Sequence, residues 1–251
     1  MSYAFKEFAS RNQWSINQYG KVQHFNISSA GARELPKPKP ITVKKAEESE
    51  PVCELVLEEC LRTWLVQLLE NAIERGATKV KIQLYKSGYE GFDVSDNGEG
   101  INKKFWPFLC HCQTHRSRCS MYKTKSLGFR GEAHFTLAQF CDLEFHTRLK
   151  DAAKGHVLKY DAKSLKLKSS EEAEDLEIGT LVQVRDIYCV DEEYRKKFIE
   201  SIGNQYDQVY EMIVSYGCIL TGIEINCFND KHKVLSTPGL DSFALNAVHM
   251  I

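Results

Sequence analysis

Residues 61–101 read LRTWLVQLLENAIERGATKVKIQLYKSGYEGFDVSDNGEGI and constrain the fold more than any other stretch. The spacing of Leu61, Leu65, Leu68, Leu69, Ala72 and Ile73 predicts a helix with one apolar stripe. Gln67 and Asn71 are four residues apart, so they share one flank beside that stripe. Gly76 is a helix stop. Val80, Ile82 and Leu84 then alternate with Lys79, Lys81 and Gln83, the period of a half-buried strand. Lys86-Ser87-Gly88 supplies a turn, and a second strand puts Phe92, Val94 and Asp96 on one face. A carboxylate in line with core residues needs donor partners, because burying it unpaired is costly. A tight turn, Asn97-Gly98-Glu99-Gly100, follows at once.

Two chemistries fit that turn. Asp93-x-Ser95-x-Asn97-Gly98 matches the first half of a calcium loop, but the twelfth position, which needs a bidentate Glu, is Lys104. The other is a nucleotide site with an inward Asp, flexible glycines and an amide-bearing helix flank. Leu127-Gly128-Phe129-Arg130-Gly131-Glu132-Ala133 supports the second, since it leads into a helical run through Phe135, Leu137, Ala138 and Phe140. Glycines ahead of a helix start let backbone N–H groups approach phosphate oxygens, and the helix dipole favours the anion.

In this order the three pieces resemble the ATP-binding fold shared by gyrase, certain heat-shock chaperones, histidine kinases and MutL, the GHKL group. LGFRGEA, with LLENAIERGAT and VSDNGEGI, resembles the MutL family of DNA mismatch repair proteins, and its eukaryotic post-meiotic-segregation branch most closely. The resemblance covers about residues 52–240. It implies an α+β fold: a two-layer sandwich of a mixed, mostly antiparallel sheet with helices on one face. It also implies ATP and Mg²⁺ as ligands. Asp96 corresponds to the carboxylate that reads the adenine amino group, and Asn71 to the Mg²⁺ ligand. Gly128, Phe129, Arg130, Gly131, Glu132 and Ala133 form the phosphate loop, while Asn97, Gly98 and Gly100 close near the nucleotide. Thr114 keeps the family's lid threonine, followed by His115-Arg116 where Ser-Lys is usual. Thr180, opening the strand Gly179–Ile187, stands at the adenine end. The family's general base is a Glu four residues before the Asn; here that position is Gln67. Gln orients a water but takes no proton from it. Glu70 lies about 100° round the helix from Asn71, and Glu74 nearly a turn beyond it.

The resemblance further implies a MutL-type heterodimer partner, MutS-type mismatch recognition proteins, DNA and a nuclear location. Two functions remain open: an ATPase module that couples ATP to dimerisation and repair, and an ATP-binding scaffold that does not hydrolyse.

The 251 residues, 43% hydrophobic and 27% charged, are ordinary for a globular protein. A net charge of −1 leaves any DNA contact to local patches. Nine scattered cysteines indicate reduced thiols. No apolar run approaches the ~18 residues of a membrane span, so no membrane partner is expected. Residues 1–50 read as a divergent extension with a spacer, Leu35-Pro36-Lys37-Pro38-Lys39-Pro40. The family's Ile-x-x-Gly-Glu-Val segment has no counterpart; Val52–Cys60 stands in its place. Residues 51–235 are expected to form the ATP-binding domain, and 236–251 to begin a second, transducer domain.

Between Lys103 and Ser126 a lid is expected, with zinc on Cys110, Cys112, His115 and Cys119 as the competing reading. Strands are expected over 141–148, 156–160, 164–168, 179–187 and 223–228. Ser169–Glu177 reads as an acidic loop and Phe198–Ser215 as a helix. Arg195–Lys197 is either a solvated helix face or a contact to DNA backbone.

Overall fold

The computed structural model describes residues 14–16, 22–24, 60–110, 133–160, 166–189 and 191–249. The chain divides into two compact units, Met1–Cys60 and Leu61–Ile251. In the first, β1 (Trp14–Ile16) and β2 (Val22–His24) pair antiparallel as a two-stranded sheet.

The second unit is built on one eight-stranded sheet. Its strands are β3 (Lys79–Tyr85), β4 (Gly91–Asp96), β5 (Asp142–Arg148), β6 (Gly155–Tyr160), β7 (Leu167–Ala173), β8 (Gly179–Arg185), β9 (Glu224–Asn229) and β10 (His232–Pro238). The spatial order is β10-β9-β3-β4-β8-β5-β6-β7, and every pairing is antiparallel except β3 with β9. The helices are α1 (Cys60–Glu74), α2 (Ala133–Phe140), α3 (Glu192–Ile219) and α4 (Phe243–Val248). The fold is therefore α+β with a mixed, mostly antiparallel sheet, as the sequence implied.

The core follows the two periodicities. Leu61, Leu65, Leu68, Leu69 and Ala72 of α1 are buried, as are Val80, Ile82, Leu84, Phe92, Val94, Leu143, Phe145, Val182 and Val184 from the strands. Trp64 joins them, outside the expected stripe, packed beside Tyr188 with ring centroids 6.0 Å apart. The first turn of α1 is capped from a distance, because the backbone N–H of Leu61 donates to Oε1 of the buried Gln205 on α3. Gly76 ends the helix at φ +74°.

Three expectations change. The acidic stretch is not a loop in its first half. Residues 167–173 form β7, paired to β6 with His156 opposite Glu172. An edge strand open to solvent accepts charged side chains, and Lys154 meets Glu172 at 3.0 Å and Glu174 at 3.5 Å. Residues 164 and 165 lie outside the described residues. The helix expected from Phe198 begins at Glu192 and runs 28 residues. Asp191 caps it, its side chain accepting from the backbone N–H of Glu193 and Tyr194, so Arg195–Lys197 lie inside the first two turns. The third concerns the boundary read at 235/236, which falls inside β10. That strand pairs with β9 through Pro238, and the buried Asn246 of α4 donates to Leu220 O at 3.0 Å.

Candidate functional site

The end of β4 positions the inward carboxylate. Asp96 lies opposite Val80 of β3 and Thr180 of β8. Its Oδ1 accepts from the backbone N–H of Gly98 at 2.8 Å. Burial raises its pKa, while the Gly98 and Thr180 backbone N–H groups and the charge of Arg75 oppose the rise. This is the donor set the sequence required, and it comes mostly from the backbone.

Close approach explains three glycines here. A Cβ on Gly98 would stand 2.8 Å from Arg75 O and 2.9 Å from Asp96 Oδ1. Gly179 has φ +125°, and a Cβ there would strike the carbonyl oxygen of Asp96. Gly100, at φ +75°, packs on the carbonyl of Arg148. The next residue is fixed by Thr147, whose Oγ1 accepts from the Ile101 backbone N–H at 2.8 Å and donates to Gly179 O at 3.2 Å. Thr147 is 2% exposed and was not singled out in the sequence. Its signal was a polar residue at the inward position after Leu143 and Phe145.

Asn97 has a different commitment. Its Oδ1 accepts from the backbone N–H groups of Thr78 and Lys79, and its Nδ2 donates to Thr78 Oγ1, at 2.8–2.9 Å. The side chain ties the β4 turn to the start of β3, and its oxygen is taken.

The α1 flank carries Gln67 and Asn71, both half-buried. Oε1 of Gln67 is buried with no hydrogen-bond partner, and Asn71 makes no side-chain hydrogen bond among the described residues. Glu70 is occupied elsewhere: Tyr216 of α3 donates to its Oε1 at 2.7 Å. Burial raises the Glu70 pKa and nearby Glu74 adds to the rise, against the Tyr216 hydrogen bond.

At the start of α2, Ala133 is followed by His134, whose ring stands edge-on to Phe145 at 5.0 Å. Burial, helped by the Arg75 charge, lowers its pKa to about 4, so the ring is neutral. Gly128, Phe129, Arg130, Gly131, Glu132 and the lid residue Thr114 lie outside the described residues, as do Cys112, His115 and Cys119. The beginning of the expected lid is anchored. A 3-10 turn, Lys103–Phe108, holds Trp106, which donates from Nε1 to Ile101 O and accepts at its carbonyl from Tyr160. Cys110 is buried and its thiol is pushed up to about 12. Among the described residues no three His, Cys, Asp or Glu side chains are grouped to hold a metal, and no helix is long and apolar enough to cross a membrane.

No protein-family model matches the chain. Individual proteins do. The DNA mismatch repair protein MutL of Chlorobium chlorochromatii is 32% identical over 177 residues, covering 68% of this chain and 26% of that protein. The chain is MutL-like. The DNA mismatch repair protein PMS1 of Arabidopsis thaliana is 29% identical over 190 residues, covering 72% of this chain and 20% of its own length. The MutL-like chain thus spans 20–26% of the length of these curated relatives. Among solved structures, the N-terminal domain of a DNA repair protein superposes with a TM-score of 0.65 at 27% identity, covering 74% of this chain and 55% of that one. The Aquifex aeolicus MutL ATPase domain complexed with ADP gives 0.55 at 20% identity, covering 73% and 64%. The described residues of the second unit have the fold of MutL GHKL ATPase domains.

Proposed function

We propose that the second unit is the ATP-binding module of a MutL-like DNA mismatch repair protein, binding Mg-ATP well and turning it over slowly. The observation that carries this reading is Asp96. It is a half-buried carboxylate held by backbone donors at the end of a strand, beside glycines packed too closely to carry a Cβ. Such a group, kept ionised, accepts the amino hydrogen of an adenine, while Thr180 lies next to it on β8.

The chain's residues fit the rest of the nucleotide. Among the described residues Gln67 Oε1 and the Asn71 side chain have no hydrogen-bond partner on one helix flank, where Asn71 would ligate Mg²⁺. A bound Mg²⁺ neutralises phosphate charge and positions water. The Gly128–Ala133 stretch would supply backbone N–H groups to the phosphates, with Thr114 in the lid. Gln67 then orients a water without accepting its proton, which costs on the order of 10²–10⁴-fold in rate. That same residue favours a second reading, a nucleotide-binding scaffold in which ATP orders a partner surface and is not consumed. Both readings carry the same wider setting by resemblance: a MutL-type heterodimer partner, MutS-type proteins, DNA and the nucleus.

Calorimetry with ATP and Mg²⁺, alongside single-turnover hydrolysis on the same sample, tests the proposal. Asp96→Asn should weaken ATP binding at least ~10-fold, because one acceptor becomes a mixed group and the base's hydrogen bond is mispaired. Unchanged affinity in that variant would show that the base is read elsewhere.

A further inference from the structure

One row of residues crosses the inner face of the sheet at Asp96. Asp96 on β4 stands opposite Thr180 on β8, Thr180 opposite Thr147 on β5, and Thr147 opposite His156 on β6. Directly opposed residues share a face and adjacent strands lie about 4.8 Å apart, so Thr147 is roughly 10 Å from Asp96 on the same side. The Thr147 hydroxyl is committed to backbone. Its Oγ1 accepts from the Ile101 N–H at 2.8 Å and donates to Gly179 O at 3.2 Å. Both partners border Asp96: Gly179 packs against the Asp96 carbonyl, and Ile101 closes the Asn97–Gly100 turn. Ile101 is held a second time, because its carbonyl accepts from Trp106 Nε1 at 3.2 Å. Trp106 is itself fixed, its carbonyl accepting from the Tyr160 hydroxyl at 2.6 Å. Thr147, Trp106 and Tyr160 are all buried.

Resting on the reading of Asp96 as the base-reading carboxylate, we infer that Thr147 is a positioning residue for nucleotide recognition. It clamps the turn ending at Ile101 to the start of β8, so that Asp96 and Thr180 meet the base together. A hydroxyl suits this place because it is both donor and acceptor. Val keeps the branched shape but leaves the Ile101 N–H and the Gly179 carbonyl without that partner. Binding must then hold the turn against β8 by itself, and affinity falls by the fraction of molecules that keep the clamped geometry. Both bonds end at the base side of the site, so ATP and adenosine lose affinity alike.

The sheet supplies a matched control. Thr237 on β10 is fully buried and its Oγ1 accepts from the Ile225 N–H at 2.9 Å, but β10 lies three strands from β4 on the side away from β5. Binding of ATP with Mg²⁺, and of adenosine, to the full chain should be measured by calorimetry for the wild type, Thr147→Val, Thr147→Ser, Thr237→Val and Asp96→Asn. Thr147→Val should weaken both ligands about 10-fold, while Thr147→Ser, which keeps the hydroxyl, and Thr237→Val should stay within about 2-fold of the wild type. An equal loss in Thr237→Val would make the effect one of stability and overturn the inference. Unchanged binding in Thr147→Val, or a loss in Thr147→Ser as large as in Thr147→Val, overturns it as well. A loss confined to ATP overturns it by placing the effect on the phosphates. Should Thr147→Val not fold, hydrogen exchange of the wild type decides. ATP at about ten times its dissociation constant should slow exchange of the Ile101 amide about 10-fold, because the opening that frees this amide also abolishes binding. An unchanged rate overturns the inference. If Asp96→Asn binds as the wild type does, the site reading itself falls and this inference falls with it. If Asp96→Asn abolishes binding while Thr147→Val binds normally, only the inference fails.

Discussion

At position 67 one atom separates an acceptor from a base. Gln67 Oε1 is buried and unpartnered, four residues before Asn71 on the same flank. Gln67→Glu changes almost no volume, so packing stays as it is. We expect the single-turnover rate of ATP hydrolysis to rise about 10-fold or more, with ATP affinity little changed, because a base acts in the transition state. Burial raises the pKa of a new carboxylate there, so the gain should grow from pH 6 to pH 8. No gain, with binding intact, would favour the scaffold reading. The same scale shows why some roles were not legible. The sequence placed Asp96 correctly at an inward strand position. It also grouped Asn97 with the nucleotide, whereas its side chain clamps Thr78 and Lys79. An Asn-Gly turn looks the same in either role, and only the approach of β3 decides. Thr147 was missed because it acts on Ile101 and Gly179, residues far from it in sequence.

Among the elements, α1 and the β3–β4 pair could be read from the chain because their burial is periodic. The start of α3 and the edge strand β7 could not. A cap such as Asp191 acts through two backbone N–H groups, and β7 is exposed on most of its length, so neither leaves an apolar pattern. The α1–α3 interface also hides a polar link, from Tyr216 to the carboxylate of Glu70. Tyr216→Phe should lower stability by about 1.5–3 kcal/mol, the range for a hydrogen bond to a charged group. The pH dependence follows from Glu70. Its pKa is raised in the folded chain, chiefly by burial, and the tyrosine bond favours the ionised form. The loss should therefore be largest above the raised Glu70 pKa and shrink as pH falls through it. Urea unfolding of both proteins at pH 7.5 and pH 4.5 measures this. A difference independent of pH would mean that the hydroxyl serves packing rather than the charge.

For the whole molecule, the eight-stranded sheet takes all its strands from residues 79–238. Both faces of α1 that matter, the apolar stripe and the Gln67–Asn71 flank, are set by residues after 60. Among the described residues the strands of the first unit pair with each other, and a two-stranded hairpin of three residues a side is marginal alone. Residues 1–50 should therefore contribute little to cooperative stability. We expect a chain lacking residues 1–50 to melt as one transition within about 2–4 °C of the full chain, the shift that about 1 kcal/mol produces at this size. Differential scanning calorimetry of the two proteins tests it. A much larger drop would mean that the first unit supplies part of the folded core. Calorimetric ATP titration of the same pair then separates stability from function, because an unchanged melt with weakened binding would assign residues 1–50 to the nucleotide site rather than to the fold.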